Sequence, residues 1–205
     1  MRARPIYHIT HIGNLPGILA AGKVWSDARC RDLGCTAHDV GYSHIKARRM
    51  RRDVSIYSGK TLGQFVPFNF CPRSVMLYVL HKGHESYHGG QGEMLHLMST
   101  VGRAIDCGHA YAFTDRHADL GYAEYFNDVA DEDHVEWEVM PLHYWSNDNE
   151  TKERRQAEFL VYDWFPLDAI EEIGVIDAAM VQRVQALLTN FEHRPAVRAR
   201  PDWYY

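Results

Sequence analysis

The sequence predicts a mixed α+β fold, and three observations carry that expectation. Its 205 residues suit one domain with its own core, taken here as residues 1–205. At 46% hydrophobic and 12% aromatic, the chain has enough apolar side chain to bury. Those side chains fall mostly into short β-prone runs divided by turn residues, with one longer run of helical period near the C-terminus.

Taken in order, residues 5–10 alternate and read as a strand. A helix follows over 14–22, with Asn14 as candidate N-cap, Pro16 in its first turn and Gly22 as its stop. Residues 26–42 have no period, are punctuated by Gly34 and Gly41, and read as an irregular loop. Residues 44–52 read as a short polar helix. The runs 65–70 and 75–80 read as strands broken by Cys71, Pro72, Arg73 and Ser74. The glycine- and histidine-rich stretch 81–92 reads as loop, and 94–98 as strand. A strand over 110–114, a turn at 115–117 and a helix over 118–128 come next. Residues 129–153 are charged, with Trp137, Tyr144 and Trp145 interleaved. Phe159, Leu160, Val161 and Tyr162 make an apolar strand, 170–176 another, and 178–191 an amphipathic helix built on Met180, Val184, Leu187 and Leu188.

Composition excludes some classes. No apolar run is long enough to cross a bilayer as a helix, and the opening residues run into strand-like sequence without the apolar stretch of a secretory signal. Cys30, Cys35, Cys71 and Cys107 have no CxxC spacing, so free thiols in the cytoplasm are expected. The net charge of −5 argues against nucleic acid only on average. Lys46, Arg48, Arg49, Arg51 and Arg52 form a basic block, while an acidic one lies between Asp128 and Glu138. Screening confines each field to about 10 Å, so a local cationic groove can still hold phosphates. His81, His84, His88 and His96 have spacing compatible with zinc, but the stretch is glycine-rich and lacks cysteine, and no metal is expected. Gly83, Gly89, Gly90 and Gly92 are not followed by the Lys-Ser/Thr of a phosphate loop.

The chemistry points to Glu158. It stands between a cationic lead-in (Arg154, Arg155) and an apolar strand, which puts a carboxylate at the mouth of a buried strand. There it either faces a ligand or is merely an edge-strand charge. His8 and Thr10 share one face of the first strand, because side chains alternate, and form either a polar grip or a satisfied core pair.

With these pieces in hand, the chain resembles the DarT family of DNA ADP-ribosyltransferase toxins. The matching pieces run in order along nearly the whole chain. They include Pro5-Ile6-Tyr7-His8-Ile9-Thr10-His11, Phe70-Cys71-Pro72-Arg73-Ser74, Phe113-Thr114-Asp115-Arg116-His117, Gln156-Ala157-Glu158-Phe159-Leu160-Val161 and Asp202-Trp203-Tyr204-Tyr205. The stretches 26–42 and 128–138 do not match clearly.

The resemblance implies an ADP-ribosyltransferase fold, a split mixed sheet with flanking helices and NAD in a central cleft. It implies transfer of ADP-ribose from NAD to thymine in single-stranded DNA, release of nicotinamide, and a macrodomain antitoxin as partner. By the same resemblance Glu158 and Arg49 are catalytic. His8, Ile9, Thr10, Gly17, Trp25, Arg49 and Met76 hold NAD, and His117, Arg48, Tyr144, Trp145 and Arg154 meet DNA. A carboxylate on the ribose hydroxyl suits an oxocarbenium-like transition state. A guanidinium suits a pyrophosphate but not proton acceptance, so Arg49 is expected to stabilise the thymine imide anion while the proton leaves elsewhere. Two rivals remain at this point: the same NAD chemistry on RNA or protein, and a non-catalytic nucleic-acid-binding module.

Overall fold

The computed structural model describes every residue except 36, 37, 39, 41, 84–86, 88 and 146; His84 and His88 of the histidine stretch therefore lie outside the described residues. Among the described residues the strands are β1 Pro5–His11, β2 Lys23–Trp25, β3 Phe65–Asn69, β4 Met94–Thr100, β5 Tyr111–His117, β6 Tyr125–Phe126, β7 Ala157–Tyr162, β8 Trp164–Pro166, β9 Glu172–Val175 and β10 Ala196–Ala199. The α-helices among them are α1 Leu15–Ala21, α2 Asp27–Asp32, α3 Ser43–Arg49, α4 Val75–Lys82, α5 Val101–Asp106, α6 Asn149–Arg154 and α7 Ala178–Leu188.

Eight strands form one sheet in the order β10-β9-β4-β1-β3-β7-β5-β6, and β2 pairs with β8 in a separate ribbon. All registered neighbours in the large sheet are antiparallel except β9 and β10. The α+β expectation holds, including the split. β1 is registered with β4 over seven positions, but with β3 only through Tyr7 and Asn69. Beyond that pair the two middle strands diverge, and the sheet opens between them.

The core explains why the strands lie where they do. β7 is buried along almost its whole length, as expected of a strand covered on both faces. Phe68, Phe159 and Phe165 sit at its centre, with Phe68 edge-on to Phe165. α7 buries Met180, Val184 and Leu188 on one side, a period of about four residues that matches a helix lying on the sheet. Its N-cap Asp177 accepts from the Met180 N–H at 2.8 Å.

Several expectations change. Residues 75–80 are helical: Ser74 caps α4 by accepting from the Leu77 N–H, and the same apolar run satisfies helical period. The loop reading of 26–42 misses α2, capped by Ser26. Residues 118–128 form turns and the short β6 instead of a helix, because Tyr125 and Phe126 pair with Thr114 and Phe113. The turn expected at 115–117 is still strand.

Candidate active site

The divergence of β1 and β3 opens a cleft of about 440 Å³. Its floor carries Glu158, which lies directly across the β3–β7 ladder from Asn69. Local folding puts the carboxylate there. The Glu158 N–H donates to Thr114 Oγ1 at 3.0 Å, locking the strand end against β5. An irregularity in register between Phe113 and His117 re-aims the end of β5, so that His117 faces the cleft opposite Ala157.

Arg49 closes on Glu158 from α3, 109 residues away in sequence. Its two terminal nitrogens donate to the two carboxylate oxygens at 2.9 Å each, the bidentate geometry that gives a guanidinium its strongest pairing. The Glu158 side chain is buried at 8% exposure, and that of Arg49 is nearly so at 11%. A third donor, the Ala118 N–H, reaches Glu158 Oε1 at 3.2 Å. Burial by itself raises the Glu158 carboxyl, but Arg49, His117 and the Ala118 N–H outweigh it and hold it below the usual carboxylate range. Burial lowers Arg49, but Glu158 more than offsets that, so the guanidinium stays charged. His117 is pushed down by burial, and Glu158 restores only part, so its imidazole is neutral near pH 7.

The walls come from several strands and helices. His8, Ile9 and Thr10 line the cleft from β1. The His8 Nδ1 lies 2.9 Å from the Pro67 carbonyl. A carbonyl only accepts, so Nδ1 carries the proton and Nε2 is left as an acceptor. Asn14 donates to Thr10 Oγ1 at 3.1 Å and, at the same length, to the His38 carbonyl. Gly17 of α1 borders the cleft with open space where a Cβ would stand, which leaves room for close approach of a ligand. Trp25 enters from β2 and Met76 from α4.

A family model for DarT, described as ssDNA thymidine ADP-ribosyltransferase, matches residues 7–205. The chain belongs to the DarT family. Its relatives include a DNA ADP-ribosyl transferase of Thermus sp. (strain 2.9), 41% identical over 203 residues that cover 98% of this chain and 96% of that one. The structure of Thermus sp. 2.9 DarT in complex with ADP-ribosylated ssDNA superposes with a TM-score of 0.93 at 40% identity, covering 100% and 98% of the two chains. That of the same enzyme in complex with NAD+ gives 0.89 at 38%, covering 100% and 99%. This DarT family member is thus an enzyme, a DNA ADP-ribosyltransferase, and the binding-module rival falls away.

The structure gathers Glu158, Arg49, His8, Ile9, Thr10, Gly17, Trp25, Met76 and His117 around one cleft. The remaining residues expected to meet DNA do not line it. Arg48 points the Nε of its half-exposed side chain at the buried Asp119 carboxylate. Arg154 is held between Glu136 and Glu150 at 3.1 Å from each. Tyr144 is 96% exposed, whereas Trp145 is 5% exposed and packs edge-on against Tyr78. Sequence reasoning passed over Asn14, Asn69 and Gln156, which also line the cleft. For Asn69 a signal existed, because a polar side chain ends an apolar strand opposite the segment carrying Glu158. Among the described residues no three His, Cys, Asp or Glu side chains come together to hold a metal.

Proposed function

We propose that this cleft takes NAD as the ADP-ribose donor and passes ADP-ribose to a thymine base of single-stranded DNA, with residues 1–205 acting as one domain. The observation that carries the reading is the buried, ionised Glu158 clamped by Arg49 at the mouth of the parted strands. Glu158 accepts a hydrogen bond from a ribose hydroxyl next to the nicotinamide-bearing carbon. Its charge steadies the sugar more as positive charge develops there than before, which is what lowers a barrier. His8, Thr10 and Met76 border the nicotinamide half, while Gly17 and Trp25 flank the dinucleotide.

The thymine imide nitrogen attacks the anomeric carbon, the carbon–nicotinamide bond breaks, and nicotinamide leaves with the electron pair. The imide proton goes to His117, whose neutral imidazole is the base available beside Glu158. Arg49 stays protonated and stabilises the imide anion. A duplex hides the imide edge in base pairing, so unpaired DNA is the natural acceptor. Tyr144 offers an exposed ring for stacking a neighbouring base. The family likeness supports a place as the toxin of a toxin–antitoxin pair in the cytoplasm, with a macrodomain antitoxin that removes the mark.

The test is to incubate the protein with NAD and, in separate arms, single-stranded DNA with and without thymine, duplex DNA, RNA and protein. The expected result is one ADP-ribose added to thymine-containing single strands, with equimolar nicotinamide. Labelling of the thymine-free strand at the same rate, or of RNA or protein alone, would overturn the reading.

A further inference from the structure

Two thiols meet at the rim of the cleft. α2 ends in a left-handed turn at Gly34, φ 64°. The Cys35 N–H donates to the Cys30 carbonyl at 2.9 Å and the Gly34 N–H to the Arg31 carbonyl at 3.1 Å. This pair of bonds is the Schellman motif, which brings the side chain of the residue after the turn onto the third-last helical residue. In most helices that contact is apolar; here both partners are cysteines. Cys35 is close enough to help raise the Cys30 thiol, and both are reduced. Both line the cleft that holds Glu158 and Arg49. Cys35 is exposed and Cys30 half-buried. With no third ligand gathered among the described residues, the pair suits disulfide chemistry better than a metal.

We propose that Cys30 and Cys35 form a dithiol site which a small disulfide oxidant converts to an intramolecular disulfide, and that this bond weakens the hold of the cleft on NAD. The exposed Cys35 thiolate attacks the oxidant, a mixed disulfide forms, and one small thiolate leaves. The Cys30 sulfur then attacks that of Cys35 and expels the second small thiolate. The protein loses two hydrogens, and the oxidant is reduced to two thiols. Burial pushes the Cys30 thiol up to about 11, with Cys35 adding to the effect, so Cys30 acts second, where its position on the motif holds it against the mixed disulfide. The bond draws the sulfurs to about 2.05 Å, closer than any thiol contact. The end of α2 and the chain leaving it must shift with them, and that wall borders the cleft.

The effect on NAD rests on the function proposed above; formation of the disulfide does not. The whole protein is treated with oxidised glutathione and mapped by mass spectrometry, and nicotinamide release is titrated with NAD before and after. A linked Cys30–Cys35 peptide is expected, reversed by dithiothreitol, with a severalfold higher KM for NAD. Cys35→Ser, compared with itself, should give a KM indifferent to the oxidant, whereas Cys30→Ser should stop at the Cys35 mixed disulfide and give no linked peptide. A stable glutathione adduct on Cys35 beside a free Cys30, or a disulfide that leaves KM unmoved, overturns the proposal. If the reduced enzyme releases no nicotinamide at all, it is the NAD reading that has failed, and the peptide map still reads the thiols.

Discussion

Asn69 stands directly opposite Glu158 across one ladder and opposite Tyr7 across the other, so a single residue marks both the strand end that carries Glu158 and the point where the sheet parts. The cleft is therefore a property of strand register. A carboxylate placed there is buried by the core beneath it, yet open to a ligand from above.

Glu158→Gln should separate chemistry from fold. The amide keeps the shape but not the charge, and leaves Arg49 without its counter-ion. Labelling should fall by more than about hundredfold, the scale of losing a preorganised electrostatic contact. Stability should drop by about 1–3 kcal/mol, because Arg49 is only 11% exposed but borders the cleft. Oligonucleotide labelling and thermal melts read the two effects; near-normal labelling in a folded variant removes Glu158 from the mechanism.

Arg49→Lys tests the planar fork. Lysine restores the positive charge but cannot span both carboxylate oxygens, which Arg49 reaches at 2.9 Å each. Losing one charge-assisted hydrogen bond, about 1.5–3 kcal/mol, predicts a kcat lower by about 10- to 150-fold. Steady-state rates with saturating NAD and DNA measure it, and a wild-type kcat would reduce Arg49 to a simple counter-charge.

These two residues also mark what the sequence made legible. The strands carrying the core were readable, because alternation and apolar runs are local. The run 75–80 misled because a short apolar segment fits either period, and only the Ser74 cap decides it. β2, β8 and β10 are three or four residues long and exist through their partners, not their own sequence. Glu158 announced itself as a carboxylate beside an apolar strand. Its pairing with Arg49 spans 109 positions and is fixed by tertiary packing, which no local pattern encodes. Likewise Tyr144 and Trp145 look alike in sequence, and only folding exposes one and buries the other.

If His117 takes the imide proton, the pH profile should say so. Burial lowers its pKa in the folded enzyme, so the neutral form persists below the ordinary histidine range. Activity should thus be held through mildly acidic pH and fall only below the depressed pKa. His117→Asn should lose rate and flatten that acidic limb. A variant that keeps the same limb assigns the titration to another group.

The adjacent aromatics should part company. Tyr144→Ala removes an exposed ring and should leave the melting temperature unchanged while weakening single-stranded DNA binding by about 1–3 kcal/mol. Trp145→Ala empties a packed site beside Tyr78 and should cost about 3–5 kcal/mol of stability. Fluorescence anisotropy and chemical denaturation separate them; equal losses of affinity with no loss of stability would mean that Trp145 is presented to DNA.

A buried histidine that does not line the cleft should dominate part of the acid response. His96 is fully buried among Tyr7, Trp203 and Tyr204, and its Nε2 donates to the Pro72 carbonyl at 2.9 Å. Among the described residues its Nδ1 has no partner, so a proton there would be buried without an acceptor. Burial lowers its pKa from 6.5 to about 4. As pH falls below 6.5 the unfolded chain takes up this proton and the folded one does not. Stability from this residue is therefore complete above pH 6.5 and declines until pH about 4. At about 1.4 kcal/mol per pH unit the loss is about 3 kcal/mol. His96→Asn should lower stability at neutral pH by leaving space in the core, yet flatten its fall between pH 6.5 and 4. Urea denaturation at several pH values measures both, and an undiminished slope in the variant would transfer the acid sensitivity to other groups.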